Sequence, residues 1–217
     1  MRLDPEREIP PTGQTVGDFW AWAYSDVDTN VMRAVYAEWL VGTALECVGR
    51  IRASWTPWDL DYGLSKIEVK STSYYPNWGQ LVEDPHTSRP NERDAPKGRE
   101  PSSRRDFDIK ATSATFPVDP DVPFGPDADY YEKPEIRRWA DVYVFAYYAE
   151  EDRTRYGSLD TSGWCFYVLS TKEIELHFET QDRVALGRIR AVAQEVEYGD
   201  LRASVDAAID RQANSKE

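Results

Sequence analysis

Cysteine and histidine are scarce in this chain, with two of each among 217 residues. Cys47 and Cys165 each sit inside an apolar segment, which argues against a disulfide framework. His86 and His177 are remote from one another and share no zinc-ligand spacing with a cysteine. No apolar run approaches the ~20 residues of a membrane helix. The opening Met1-Arg2-Leu3-Asp4-Pro5-Glu6 has no apolar stretch that could serve as a signal peptide. A Gly-rich phosphate loop and a G-x-S-x-G elbow are both missing, which sets aside nucleotide cradles and serine hydrolases of that type. Together these absences predict a cytoplasmic protein with reduced thiols and no membrane association.

What is present is a folding sequence with an acidic excess. Hydrophobic residues make up 41% and aromatics 13%, enough for a packed core and too much for a disordered chain. The length suits one domain, expected over residues 18–217, behind a loose, Pro-rich N-terminal arm over 1–17. The formal net charge is −13, which repels nucleic acid at long range. One segment reverses the sign. Between Pro85 and Arg105, six bases (Arg89, Arg93, Lys97, Arg99, Arg104, Arg105) face three acids, a net +3 that leaves roughly −16 elsewhere. Four prolines exclude regular structure there, so residues 82–105 read as a basic loop insertion, able to contact phosphates or to be solvated surface. A second insertion, rich in Pro, Asp and Glu, spans 117–135.

Periodicity places the regular elements. Asp28-Thr29-Asn30 offers cap chemistry for a helix over 31–47, with Gly49 placed to end it. A strand or turn over 52–60, a turn at 61–64 and a strand over 66–72 read as a hairpin. Residues 107–110 suit another strand. The runs 141–148 and 164–169 are apolar without alternation, as in central strands covered on both faces. Asp200 can cap a last helix, on which Leu201, Val205, Ala208 and Ile209 form one stripe. The order predicts an α/β fold with a mixed central sheet flanked by helices.

The chemistry-bearing signal is Ile67-Glu68-Val69-Lys70. Strand alternation turns Ile67 and Val69 one way and Glu68 and Lys70 the other. Asp59, on the preceding limb of the hairpin, can lie beside Glu68, and Asp61 is a rival for that position. Two close carboxylates repel unless a cation lies between them, and hard oxygen ligands suit Mg²⁺. On the helix, Val31, Ala34, Glu38, Val41 and Leu45 share a face, so Glu38 falls in a core-facing stripe where an unpaired carboxylate is costly. It can turn toward the same metal, or pair with Arg33, Arg50 or Arg52.

Helix glutamate, hairpin aspartate and Glu-x-Lys together resemble the PD-(D/E)XK nuclease superfamily. The elements would be Ala37-Glu38-Trp39-Leu40-Val41, Trp58-Asp59-Leu60 and Ile67-Glu68-Val69-Lys70-Ser71. With Phe19-Trp20-Ala21-Trp22-Ala23-Tyr24-Ser25-Asp26 and Arg138-Trp139-Ala140-Asp141-Val142-Tyr143-Val144-Phe145, the chain is similar to uncharacterised bacterial members. The Pro-Asp pair is interrupted here, as Pro57-Trp58-Asp59, and only eight residues separate Asp59 from Glu68. The resemblance implies a restriction-endonuclease-like core and hydrolysis of DNA phosphodiester bonds, in restriction or defence. It implies Mg²⁺, with Mn²⁺ as a substitute, on Asp59, Glu68 and the backbone carbonyl of Val69, with Lys70 acting on the attacking water and Glu38 completing the site. Gln80 would be an accessory group, and a protein partner or a homodimer is compatible with it. The alternative is an inactive module of the same fold that binds a partner through its acidic surface or its basic loop.

Overall fold

The computed structural model describes residues 2–27, 29–52, 56–75, 105–113, 135–152 and 159–214. Most of the basic loop and of the 117–135 insertion, and Gln80, lie outside these residues.

The expected loose arm contains a short hairpin, β1 (Glu8–Ile9) against β2 (Gln14–Thr15), that runs into α1 (Val16–Tyr24). Thr15 and Asp18 cap α1 reciprocally, a capping box not read from the sequence. Next, α2 (Asn30–Ala44) starts at Thr29, whose side chain accepts from Met32 N. It ends before Gly49, because Glu46 takes the left-handed conformation at φ 56°. Cys47 N then bonds Gly42 O at 2.8 Å and Glu46 N bonds Thr43 O at 3.1 Å, the paired bonds of a Schellman cap. The helix also turns differently about its axis than the stripe implied. Val31 is 73% exposed, and Ala37 and Leu40 join Glu38, Val41 and Leu45 in burial.

The central sheet has the order β3-β4-β8-β9, made of β3 (Leu60–Tyr62), β4 (Ser65–Ser73), β8 (Val142–Tyr148) and β9 (Trp164–Ser170). The outer pairs are antiparallel and β4 runs parallel to β8, so the fold is a mixed α/β arrangement. Gly63, at φ +60°, opens the two-residue turn from β3 to β4, the position that a type II′ hairpin gives to glycine. All seven residues of β8 and of β9 are buried, as their unalternating apolar runs require. The outer edge of β9 is closed at one point by a bridge from Phe166 to Val196.

Each face carries a core. On one side Ile67, Val69, Val142, Val144 and Val168 pack with α2 and with Leu201, Val205 and Ala208 of α5 (Leu201–Asn214). On the other, Tyr143, Phe145, Tyr167 and Leu169 meet a cover of short elements. These are β5 (Asp106–Asp108), α3 (Thr171–Phe178), β10 (Arg183–Ala185) and α4 (Leu186–Arg190). The strand expected near 107–110 is β5, and it pairs with β10 rather than with the central sheet. A further small pair joins β6 (Thr112–Ser113) to β7 (Ile136–Arg137). No helix among the described residues is long and apolar enough to cross a membrane.

Candidate active site

The hairpin register sets Leu60 against Ile67 and Asp61 against Lys66, so Asp59 falls opposite Glu68 just where β3 has ended. The chain leaves the ladder with one last backbone bond, Asp59 N to Ile67 O at 3.0 Å. Asp59 Oδ2 then accepts from Val69 N at 2.8 Å, replacing the backbone carbonyl that a longer β3 would have supplied. A residue's N–H and C=O leave a strand on the same side, so the Val69 carbonyl also faces the Asp59 edge.

Glu68 and Lys70 pair in register with Tyr143 and Phe145, on the face opposite Ile67 and Val69. Lys70 Nζ lies 2.5 Å from Glu68 Oε1, and their side chains keep 29% and 15% of their exposure. Burial and the charges of Glu68 and Glu38 push the Asp59 carboxyl up to about 7, against the pull of the Val69 N–H and of Lys70. Burial raises Glu68 as well, with Lys70 opposing. For Lys70, burial works toward a lower value, but Glu68, Asp59 and Asp108 outweigh it and the ammonium is held above its ordinary range. A depressed Lys70, as a catalytic base would need, is therefore not what this carboxylate-rich setting produces.

Glu38 arrives from the other side. Its helix covers the Ile67/Val69 face, and its carboxylate is gripped by Arg52, Nε to Oε2 at 2.5 Å and Nη2 to Oε1 at 2.6 Å. Of the choices left open by the sequence, the pairing with Arg52 is the one adopted. Glu38 still acts on the site at a distance, as one of the charges that raise Asp59 and Glu68. Asp61, the rival aspartate, is exposed and accepts from Trp58 Nε1 at 2.9 Å, while the Trp58 ring carries Lys66 Nζ at 4.1 Å. It takes no part in the cluster.

Comparison with family models, with curated proteins and with solved structures returned no match.

Asp108 is a member that the sequence reading missed. It ends β5, and its charge bears on both Glu68 and Lys70. Alternation was the available signal, since Phe107 and Ile109 are buried and Asp108 between them is exposed. A cleft of about 1290 Å³, with Trp20, Trp39, Arg50 and Lys66 on its walls, reaches Asp59 and Glu38 from outside. Glu68 and Lys70 are not on that wall and open on the other face of β4. Among the described residues, no group of three or more His, Cys, Asp or Glu could hold a metal ion. The groups that could hold a cation are the two carboxylates that the register sets opposite one another, Asp59 and Glu68, with the Val69 carbonyl on the same edge. That set is too open for a closed cage but suits Mg²⁺, which commonly takes one or two carboxylates and keeps several waters. Of the basic-loop residues, Arg89, Arg93, Lys97, Arg99 and Arg104 lie outside the described residues, and Arg105 lies packed against tyrosines.

Proposed function

We propose that this chain is a Mg²⁺-dependent nuclease, with Mn²⁺ as a substitute, that hydrolyses phosphodiester bonds of DNA. The observation that carries this reading is the juxtaposition of Asp59 and Glu68 across the end of the β3–β4 hairpin, with Lys70 one step along the same face. Two half-buried carboxylates whose charges oppose one another are stabilised by a shared cation and disfavoured without one. Asp59, Glu68 and the Val69 carbonyl would hold the metal, which when bound neutralises phosphate charge and lowers the pKa of a coordinated water.

The other roles fall to the chain's own groups. The Val69 N–H fixes one oxygen of Asp59 and so sets the direction of the other. Lys70, held charged by its acidic neighbours, donates hydrogen bonds to a phosphate oxygen or to the attacking water. A general-base role requires that another cation first offset the charge of Glu68. Glu38, fixed by Arg52, contributes negative potential beside Asp59. In this reading the chain works in the cytoplasm, where Cys47 and Cys165 remain free thiols.

A second reading has one observation in its favour. The Glu38–Arg52 and Glu68–Lys70 pairs already neutralise two of the buried acids, as in an inactive module that binds a partner. Calorimetric titration with Mg²⁺ and Mn²⁺, joined to cleavage assays on plasmid and linear DNA, separates the two. A nuclease binds the divalent ion, loses that binding in Asp59→Asn, and loses about 10²–10³ of its cleavage rate when Lys70→Met removes a hydrogen-bond donor from the reacting phosphate. Divalent binding that survives Asp59→Asn refutes the ligand set. No binding and no cleavage by the wild type selects the inactive module.

A further inference from the structure

A second cluster of charge lies farther along the face that bears Glu68 and Lys70. That face continues through Thr72, in register with Tyr147, to Tyr74, whose N–H bonds Tyr148 O at 2.9 Å. At ~3.3 Å per residue, Thr72 and Tyr74 are about 7 and 13 Å beyond Lys70. Over these tyrosines lie two arginines. The Arg105 guanidinium carbon is 4.4 Å from the Tyr74 ring centre and 5.8 Å from that of Tyr147. That of Arg190 is 5.6 Å from Tyr147 and 5.7 Å from Tyr167. One unit carries both, because Leu186 N, at the start of α4, bonds Arg105 O at 2.8 Å and Arg190 ends α4.

The two cations differ in how they are satisfied. Arg190 donates through Nε to the Tyr167 hydroxyl at 2.8 Å and lies 3.5 Å from Glu195 Oε2 through Nη2. Among the described residues, the contacts of the Arg105 guanidinium are the rings of Tyr74 and Tyr147. Its Nε is buried with no hydrogen-bond partner, and among the described residues it enters no ion pair. Aromatic faces satisfy the plane of a guanidinium and leave its edge, where the N–H donors are, unanswered. In a protein of net charge −13, Lys70 and Arg52 each sit on a glutamate, whereas Arg105 pairs with no carboxylate among the described residues.

We infer that Arg105 and Arg190, set against Tyr147, form a phosphate subsite one to two strand steps beyond Lys70, which holds a neighbouring phosphate of the bound strand. Arginine suits the task because its planar fork matches phosphate oxygens, and ring stacking fixes the fork before the ligand arrives. The Arg105/Arg190 pair is placed to grip the strand while Asp59, Glu68 and Lys70 act on another of its phosphates. The identity of the ligand rests on the nuclease reading; the anion site itself does not.

The test uses the full-length Asp59→Asn chain, labelled with ¹⁵N, so that cleavage plays no part. The arginine Nε–H resonances are followed during titration with a short oligothymidylate and, separately, with inorganic phosphate. The Arg105 and Arg190 resonances should move saturably with the oligothymidylate and only weakly with phosphate. Arg105→Gln and Arg190→Gln should each lower the salt slope of oligothymidylate binding by about one. Arg105→Lys, which keeps the charge and loses the fork, covers the case in which the Gln variant fails to fold. Phosphate binding as tight as that of the oligonucleotide would keep the anion site and overturn its assignment to a strand. Resonances unmoved by both probes would overturn the site itself, whatever the divalent titration shows about the nuclease.

Discussion

A carboxyl that titrates near 7 keeps its proton through a pH range in which an unfolded aspartate, at about 3.9, has lost it. The folded chain therefore binds more protons than the unfolded chain between about pH 4 and pH 7, and stability falls as pH rises through that window. Asp59→Asn abolishes the effect while its amide oxygen can still accept from Val69 N. Urea unfolding without divalent cations should find the variant no more stable than wild type at pH 4. By pH 8 it should be the more stable by on the order of 1–4 kcal/mol, the upper end being the full interval at about 1.4 kcal/mol per pH unit. Saturating Mg²⁺ should reverse the order, since a ligand that binds only the folded wild type stabilises it by mass action. A variant less stable than wild type at pH 8 without metal would show that Asp59 is not strained by its neighbours. The same crowding of acids holds the Lys70 ammonium above its ordinary range in the metal-free chain. Strand alternation places it beside Glu68, and the tertiary structure adds the charges of Asp59 and Asp108, which also favour the ammonium.

At the scale of elements, what could be read was what is local. A hairpin followed from turn chemistry and alternation, although its first strand, Leu60–Tyr62, takes up the start of the stretch read as the turn; β8 and β9 followed from unbroken apolar runs, and α5 from its stripe. What escaped was set at long range. The pairing of β5 with β10 joins Asp108 to Arg183 across 74 intervening positions, and no local pattern announces it. The side of the sheet taken by α2 was equally hidden, and with it the way Glu38 reaches Asp59 from the opposite face. The end of α2 was missed for a different reason. Glycine is the usual residue for a left-handed helix cap, so Gly49 drew the boundary, but the Schellman bonds close three residues earlier on Glu46. A side chain in that conformation costs roughly 1–2 kcal/mol. The Glu46–Arg202 contact at 3.1 Å joins two exposed groups and offsets little of it. Glu46→Gly should accordingly stabilise the chain by about 0.5–1 kcal/mol in denaturant titrations, with no change in divalent-ion binding. A loss of stability would mean that the cap depends on the Arg202 contact. By contrast Gly42 should not tolerate a side chain, because a Cβ there would come within 2.6 Å of Val48 Cγ1.

For the molecule as a whole, the difficulty is charge. A body of −13 attracts divalent cations and repels a polyanion, so the fields that would help fill the proposed metal site would hinder the arrival of DNA. The two interactions act over different distances, and salt separates them. Repulsion from the whole protein is felt across roughly 30 Å at 0.01 M ionic strength but only about 10 Å at 0.1 M. Contacts at Lys70 or Arg105 form within a few ångströms and are screened far less over that range. Salt should therefore first speed the encounter, by removing the long-range barrier, and weaken the complex only later, by competing at the contacts. For most nucleic-acid-binding proteins, whose surfaces are basic, both effects have the same sign and affinity falls from the start. Stopped-flow mixing of the Asp59→Asn chain with labelled oligothymidylate should thus show an association rate that rises between about 10 and 100 mM salt. The dissociation rate should rise throughout, which gives an affinity that peaks at intermediate salt. An association rate that falls from the lowest salt upward would mean that a basic surface governs the approach. The segment between Pro85 and Arg105, with its net +3, is the part of the sequence able to supply one.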